Sequence, residues 1–241
     1  MTTSVSKYAR QIALPGFNET AQMALAHAHV TVVGAGGLGS PALLYLAGAG
    51  IGHLHIVDDD VVSAIDLHRQ IIHAETTIGV FKAESARKRL EALNSDVTVS
   101  TTTERLTLAN GVDLLAASDV VLDATDNFES RHLISRLCQQ LGVPHVWGAV
   151  LGYETQVSVF DARRGPIYED LFPAPPPPDK RETCVTAGVL GPVVGMAGAM
   201  MAVETIKLIT SIGTPLIGTV AFYDFAESRW NFVPLKSRTD G

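Results

Sequence analysis

The sequence predicts an α/β protein with a doubly wound, mainly parallel sheet, extended by antiparallel strands towards its C-terminus. Three observations carry that prediction. Short β-branched apolar runs alternate with helix-length segments from His29 to Val150. A glycine-rich turn joins the first run to the helical segment behind it. After Gly152 the alternation gives way to isolated strand-like runs around one long apolar helix.

Taken in order, residues 29–34 (HVTVVG) predict a first strand and residues 54–58 (LHIVD) a second. Between them residues 37–49 read as a helix opened by glycines. Residues 80–94 predict a helix with Ala83, Ala86, Leu90 and Leu93 on one face and its charges largely elsewhere. Strands follow at 97–101 and 119–124, a helix at 131–141 with leucines four apart, and a closing strand at 144–150. Beyond Gly152, residues 156–161 and 218–223 read as added antiparallel strands and 193–211 as a helix. One domain is expected, with a first part at about 29–150, where strands and helices alternate, and a second at about 151–235. The Pro-rich run 173–183 should be an exposed loop, with Cys184 directly behind it.

Composition narrows the function. The chain has 241 residues, 46% hydrophobic, and 18 Lys and Arg against 25 Asp and Glu, a formal net charge of −7. That balance argues against general nucleic-acid or anionic-membrane binding, which needs a basic face. Residues 30–52 and 183–203 lack charges and approach spanning length, yet glycines and prolines interrupt both, so buried elements are expected. Two cysteines, Cys138 and Cys184, exclude a disulfide framework. With no signal-like N-terminal segment, a cytoplasmic location is expected.

Gly34-Ala35-Gly36-Gly37-Leu38-Gly39 follows a predicted strand and opens a helix, the Rossmann-like arrangement that offers free N–H groups to a phosphate. Asp58 ends the next strand, where a carboxylate can accept ribose hydroxyls. Alone, this pattern would suggest a nicotinamide or flavin oxidoreductase. The cations Arg69 and Lys82 beyond the acidic run Asp58-Asp59-Asp60 favour a nucleoside triphosphate instead.

The segments Arg10-Gln11-Ile12, GAGGLGSP, Asp58-Asp59-Asp60-Val61, Leu67-His68-Arg69-Gln70, Ile78-Gly79-Val80-Phe81-Lys82-Ala83, Asp123-Ala124-Thr125-Asp126-Asn127 and Cys184-Val185-Thr186-Ala187-Gly188-Val189 occur in that order. Together they resemble the ThiF/MoeB/HesA family, relatives of the ubiquitin-activating enzymes. The resemblance implies ATP- and Mg²⁺-dependent adenylation of the C-terminal glycine of a small ubiquitin-like sulfur-carrier protein ending in Gly-Gly. It also implies a homodimer and a separate sulfur donor. It places Gly34, Gly36, Gly37, Gly39, Asp58, Asp60, Asp66, Gln70 and Asn127 at the nucleotide, with Arg69 and Lys82 on its phosphates. Arg10 would reach the nucleotide from the partner subunit, and Asp126 would hold the magnesium ion near the α-phosphate.

Each residue also has a plain reading. Arg10 could be surface, Arg69 an ion-pair partner, Lys82 a solvated helix position, and Asp126 a helix N-cap. Cys184 could be a reactive thiol in sulfur transfer or a small buried residue. Cys138 should be core. The pairs His27/His29 and His53/His55 have the spacing to share one side of a strand, but neither finds a third metal ligand.

Three departures from the family pattern stand out. Ile167 and Asp170 occupy the place of a first zinc-binding cysteine pair, so no zinc is expected and packing or a dimer contact should hold the loops. Ile65-Asp66 replaces a Ser-Asn pair, adding a negative charge beside the phosphate site. Thr155 stands where a glycine is usual and would affect entry of the carrier tail. The small residues Gly195, Ala197, Gly198, Ala199 and Ala202 suit either a dimer interface or packing within one subunit. A dinucleotide-dependent oxidoreductase and a non-catalytic carrier-binding subunit are the alternatives.

Overall fold

The structure, a computed structural model, describes residues 7–175, 177 and 188–238. Eight strands form one sheet in the order β3-β2-β1-β4-β5-β6-β7-β8. They are β1 (His29–Val33), β2 (His53–Val57), β3 (Thr98–Thr102), β4 (Val120–Asp123), β5 (His145–Leu151), β6 (Glu154–Phe160), β7 (Thr219–Asp224) and β8 (Arg229–Pro234). The pairs from β3 to β5 are parallel, and those from β5 to β8 antiparallel, as the change of pattern after Gly152 predicts.

The helices are α1 (Ala9–Ile12), α2 (Glu19–His27), α3 (Gly39–Ala49), α4 (Lys82–Leu93), α5 (Gly111–Leu115), α6 (Phe128–Leu141), α7 (Tyr168–Leu171) and α8 (Gly191–Thr210). Helices α2, α3, α4 and α8 pack together over one face of the sheet, and α5 and α6 over the other. Such double cover explains why β1 and β4 read as near-continuous apolar runs. Leu43, Leu46, Leu54 and Ile56 are fully buried in the larger core. Each contributes about 1.5–3 kcal/mol by leaving water.

Several expectations change on the structure. Helix α6 starts at Phe128 because Asn127 caps it, its side chain accepting from the Ser130 N–H at 2.9 Å. Asp126 is therefore not the cap. His27 ends α2 and does not share a strand face with His29. Across the strands, the His29 ring stacks on that of His53 at 4.1 Å. His53 and His55 meet the hydroxyls of Ser100 and Thr102 at 2.7 and 2.9 Å. Cys138 is core as expected, and burial pushes its thiol pKa up.

Helix α8 is long and apolar enough to cross a membrane, but its inner face packs on α3, β5 and β6. Ala197, Gly198 and Ala202 lie on that inner face, and a Cβ on Gly198 would overlap the Leu38 carbonyl. These three small residues are thus committed to packing within the subunit. Thr155 is fully buried, paired across the strands with Val150, and is not itself among the residues lining the cleft described below. Near Ile167 it is a carboxylate that holds the chain. Asp170 accepts from the N–H groups of Ile167 and Arg238, both at 2.9 Å, and ties the C-terminal segment to α7.

Candidate active site

Sterics shape the glycine turn first. Gly34 leaves β1 with φ +100°, and a Cβ there would meet the Ala124 carbonyl oxygen at 2.8 Å. A Cβ on Gly39 would overlap the Gly34 carbonyl, so turn and helix can close only on glycine. Ala35 is then held from two sides. Its N–H donates to Asp58 Oδ2 at 2.7 Å, and its carbonyl accepts from His73 Nε2 at 2.9 Å.

Beyond this turn lies a cleft of about 520 Å³ at the C-terminal ends of β1, β2, β4 and β5. The chain leaves β1 towards β2 on one side and returns to β4 on the other. The cleft thus sits at the switch point where open α/β sheets take ligands.

One wall carries the cations. Lys82 opens α4 with its side chain only 8% exposed, its Nζ 2.9 Å from Asp60 Oδ2 and 3.8 Å from Asp66 Oδ2. Arg69 Nη2 donates to Asp66 Oδ1 at 3.0 Å. Lys82 is therefore not a solvated helix position, and Arg69 is both an ion-pair partner and a cleft residue. Asp58 spends one oxygen on Ala35 and the other on the Asp60 N–H, and burial raises its pKa. Each oxygen keeps a second lone pair, so a ribose hydroxyl can still be accepted.

The opposite wall is the loop Ala124–Asn127. Asp123 is fully buried at the end of β4; its Oδ1 accepts from the Thr125 N–H and hydroxyl at 3.0 and 2.6 Å. The other oxygen lies 3.1 Å from His145 Nε2. Arg131 Nη2 donates to the Thr125 carbonyl at 3.0 Å, with its guanidinium 5.7 Å from both the Phe128 and Trp147 rings. With Thr125 fixed, Asp126 stands exposed at the cleft.

Gly34, Gly36, Gly37, Asp58 and Asp60 line the cleft, as do Arg69, Gln70, Lys82, Asp126 and Asn127. Gly39 supports the turn from behind, and Asp66 sits beneath the cations. Arg10 does not join them. It is exposed on α1, whose neighbour Gln11 bonds the Ala49 carbonyl at the end of α3 away from the glycine turn. Cys184 lies outside the described residues. Arg131, Trp147, Gln156, Phe172 and the segment Glu104–Leu106 also line the cleft, and His73 braces it, though none was read from the sequence as a site residue. Arg131 offered one signal, a cation one turn beyond the Asp126-Asn127 pair.

A family model described as the ThiF family matches residues 8–241. The chain belongs to the ThiF family. Among its relatives, the adenylyltransferase and sulfurtransferase MOCS3 of Arabidopsis thaliana is 44% identical over 235 residues, covering 98% of this chain and 51% of the relative. The "Probable adenylyltransferase/sulfurtransferase MoeZ" of Mycobacterium tuberculosis is 42% identical over 236 residues, 96% of this chain and 60% of its own. The chain thus spans about half the length of the curated relatives it matches. Among solved structures, E. coli MccB with ATP superposes at a TM-score of 0.84 with 19% identity, covering 96% of this chain and 72% of that one. PaaA gives 0.83 with 21% identity, covering 98% and 75%. These two likenesses establish that the ThiF fold is shared.

Proposed function

We propose that the chain adenylates the C-terminal glycine carboxylate of a small ubiquitin-like sulfur-carrier protein, of the ThiS/MoaD kind, with ATP. The observation that carries this reading is the placement of Arg69 and Lys82 beside the glycine turn, with Asp126 across the cleft. A dinucleotide pyrophosphate is held mainly by the turn itself, whereas a triphosphate calls for the two extra cations. The names of the MOCS3 and MoeZ relatives support the same chemistry.

In the reaction a carboxylate oxygen of the carrier forms a bond to the α-phosphorus while the bond to the bridging oxygen breaks. The products are the acyl-adenylate and pyrophosphate. No proton moves, so the chain needs no general base and contributes position and charge. Asp58 accepts the ribose hydroxyls, the amides of the glycine turn face the phosphates, and Arg69 and Lys82 stabilise the departing pyrophosphate. Asp126 fits a magnesium ion travelling with ATP, because its carboxylate is exposed at the cleft and forms no ion pair among the described residues. When bound, that ion withdraws charge from the phosphates. Arg10, remote from the cleft of its own chain, would serve the cleft of a second copy in a homodimer.

ATP–pyrophosphate exchange tests the reading, run with and without small carriers ending in Gly-Gly. Carrier-dependent exchange supports it. Absence of exchange in a folded protein that still binds ATP, across a panel of carriers, would favour a non-catalytic carrier-binding subunit. Retention of NAD would favour an oxidoreductase.

A further inference from the structure

Asp66 is a fixed anion between Arg69 and Lys82, the cations on one wall of the cleft. Its side chain is 11% exposed, with Oδ1 on Arg69 at 3.0 Å and Oδ2 3.8 Å from Lys82. Backbone geometry keeps it there. Asp66 ends a short 3-10 turn capped by Ser63, whose N–H donates to Asp66 Oδ2 at 3.3 Å. The Asp66 carbonyl accepts from the N–H groups of Arg69 and Gln70 at 3.1 and 3.0 Å. Asp60, the other carboxylate on Lys82, is 73% exposed and free to swing into water.

Within this ion-paired group the charges therefore cancel. Arg69 and Lys82 bring two positive charges, and Asp60 and Asp66 two negative ones. Asp60 can leave when a phosphate approaches; Asp66 cannot. A metal-free triphosphate reaching Arg69 and Lys82 must accept a buried carboxylate as near neighbour, in surroundings that screen charge poorly. A divalent cation on the phosphates removes most of that repulsion.

We propose that Asp66 is an internal counter-ion that makes the cleft select nucleotide as its divalent-metal complex. This rests on the cleft being an ATP site. Asp66 takes no part in bond making; it acts through Arg69 and Lys82, holding their side chains in place while setting the charge the ligand must bring.

The experiment is calorimetric titration of the full chain with ATP, in excess magnesium and in EDTA. Wild type, Asp66→Asn and Asp60→Asn are compared, with thermal melts to check folding. For wild type, affinity should fall about 30-fold or more when magnesium is removed. Asp66→Asn should bind metal-free ATP about 10-fold more tightly than wild type and change less than about 3-fold with magnesium. Asp60→Asn should keep the wild-type ratio. Should Asp66→Asn fail to fold, Asp66→Ser supplies a neutral residue whose hydroxyl can still cap Ser63, and the same narrowing is expected. A wild-type ratio in a folded Asp66 variant, or an equal change in both conditions, overturns the counter-ion role and leaves the ATP site standing. Absence of ATP binding by wild type even with magnesium overturns both.

Discussion

His73 Nε2 lies 2.9 Å from the carbonyl oxygen of Ala35, so the segment after Arg69 and Gln70 is fastened directly to the middle of the glycine turn. A carbonyl can only accept, so this nitrogen carries the proton. The ring's Nδ1 meets the Ser85 hydroxyl at 2.9 Å, on the helix that Lys82 opens. One imidazole thereby sets the distance between the turn and the cation wall.

Replacing His73 with Leu leaves the Ala35 carbonyl buried without its donor. The expected cost is about 1–3 kcal/mol of stability, measured by urea unfolding, together with weaker ATP binding. A variant as stable as wild type with unchanged affinity would show that the contact is incidental.

Asp126→Ala should leave the fold intact, because the cap of α6 belongs to Asn127. Carrier-dependent exchange should fall by about 100-fold, the scale seen when a charge-stabilising group is removed from a reacting centre. Unchanged turnover would remove Asp126 from the mechanism.

Arg131→Met keeps much of the stem and loses the donor to the Thr125 carbonyl and the cation over Phe128 and Trp147. A loss of about 1–3 kcal/mol is expected. Because Thr125 precedes Asp126, exchange should slow as well. Thermal melts and exchange rates read the two effects separately.

Acidification should destabilise the protein well before its carboxylates titrate. Burial, helped by the neighbouring His53, lowers the pKa of His29 against the opposing charge of Asp119. Burial and the neighbouring His29 and His53 lower that of His55, against a hydrogen bond to the backbone of Leu114. Below their ordinary value of 6.5 the unfolded chain takes up protons that the folded one resists. The stability these rings contribute is therefore full above pH 6.5 and is lost as pH falls through their lower folded values. The Tm should drop as pH falls below about 6.5, and His55→Gln should flatten the slope. Equal slopes would place the sensitivity elsewhere.

Much of the sheet is readable because β1 and β4 are apolar runs buried on both faces, and β2 alternates half-buried histidines with buried apolar residues. Strand β8 is not, since RWNFVP is exposed at every position and shows no alternation in burial. Helix α2 escaped because its alanines spread around the axis without a clear apolar stripe. In the site, Arg69, Lys82, Asp58 and Asp126 were legible from ordered motifs. Arg131, Trp147 and His73 were not. They belong to segments whose local pattern speaks for core packing, and only the β1-β4-β5 neighbourhood brings the first two to the cleft. That Lys82 is buried was equally invisible, because an amphipathic pattern places its charge outward.

The clamping of Ala35 by Asp58 and His73 bears on the thermodynamics of ligand capture. A loop already pinned through its amide and its carbonyl has little conformational entropy left to surrender when a phosphate arrives. The ordering cost falls on folding, not on binding. In hydrogen exchange, the Ala35 amide should already be slow in the ligand-free protein, and nucleotide should add its protection at Asp126 and Asn127 instead.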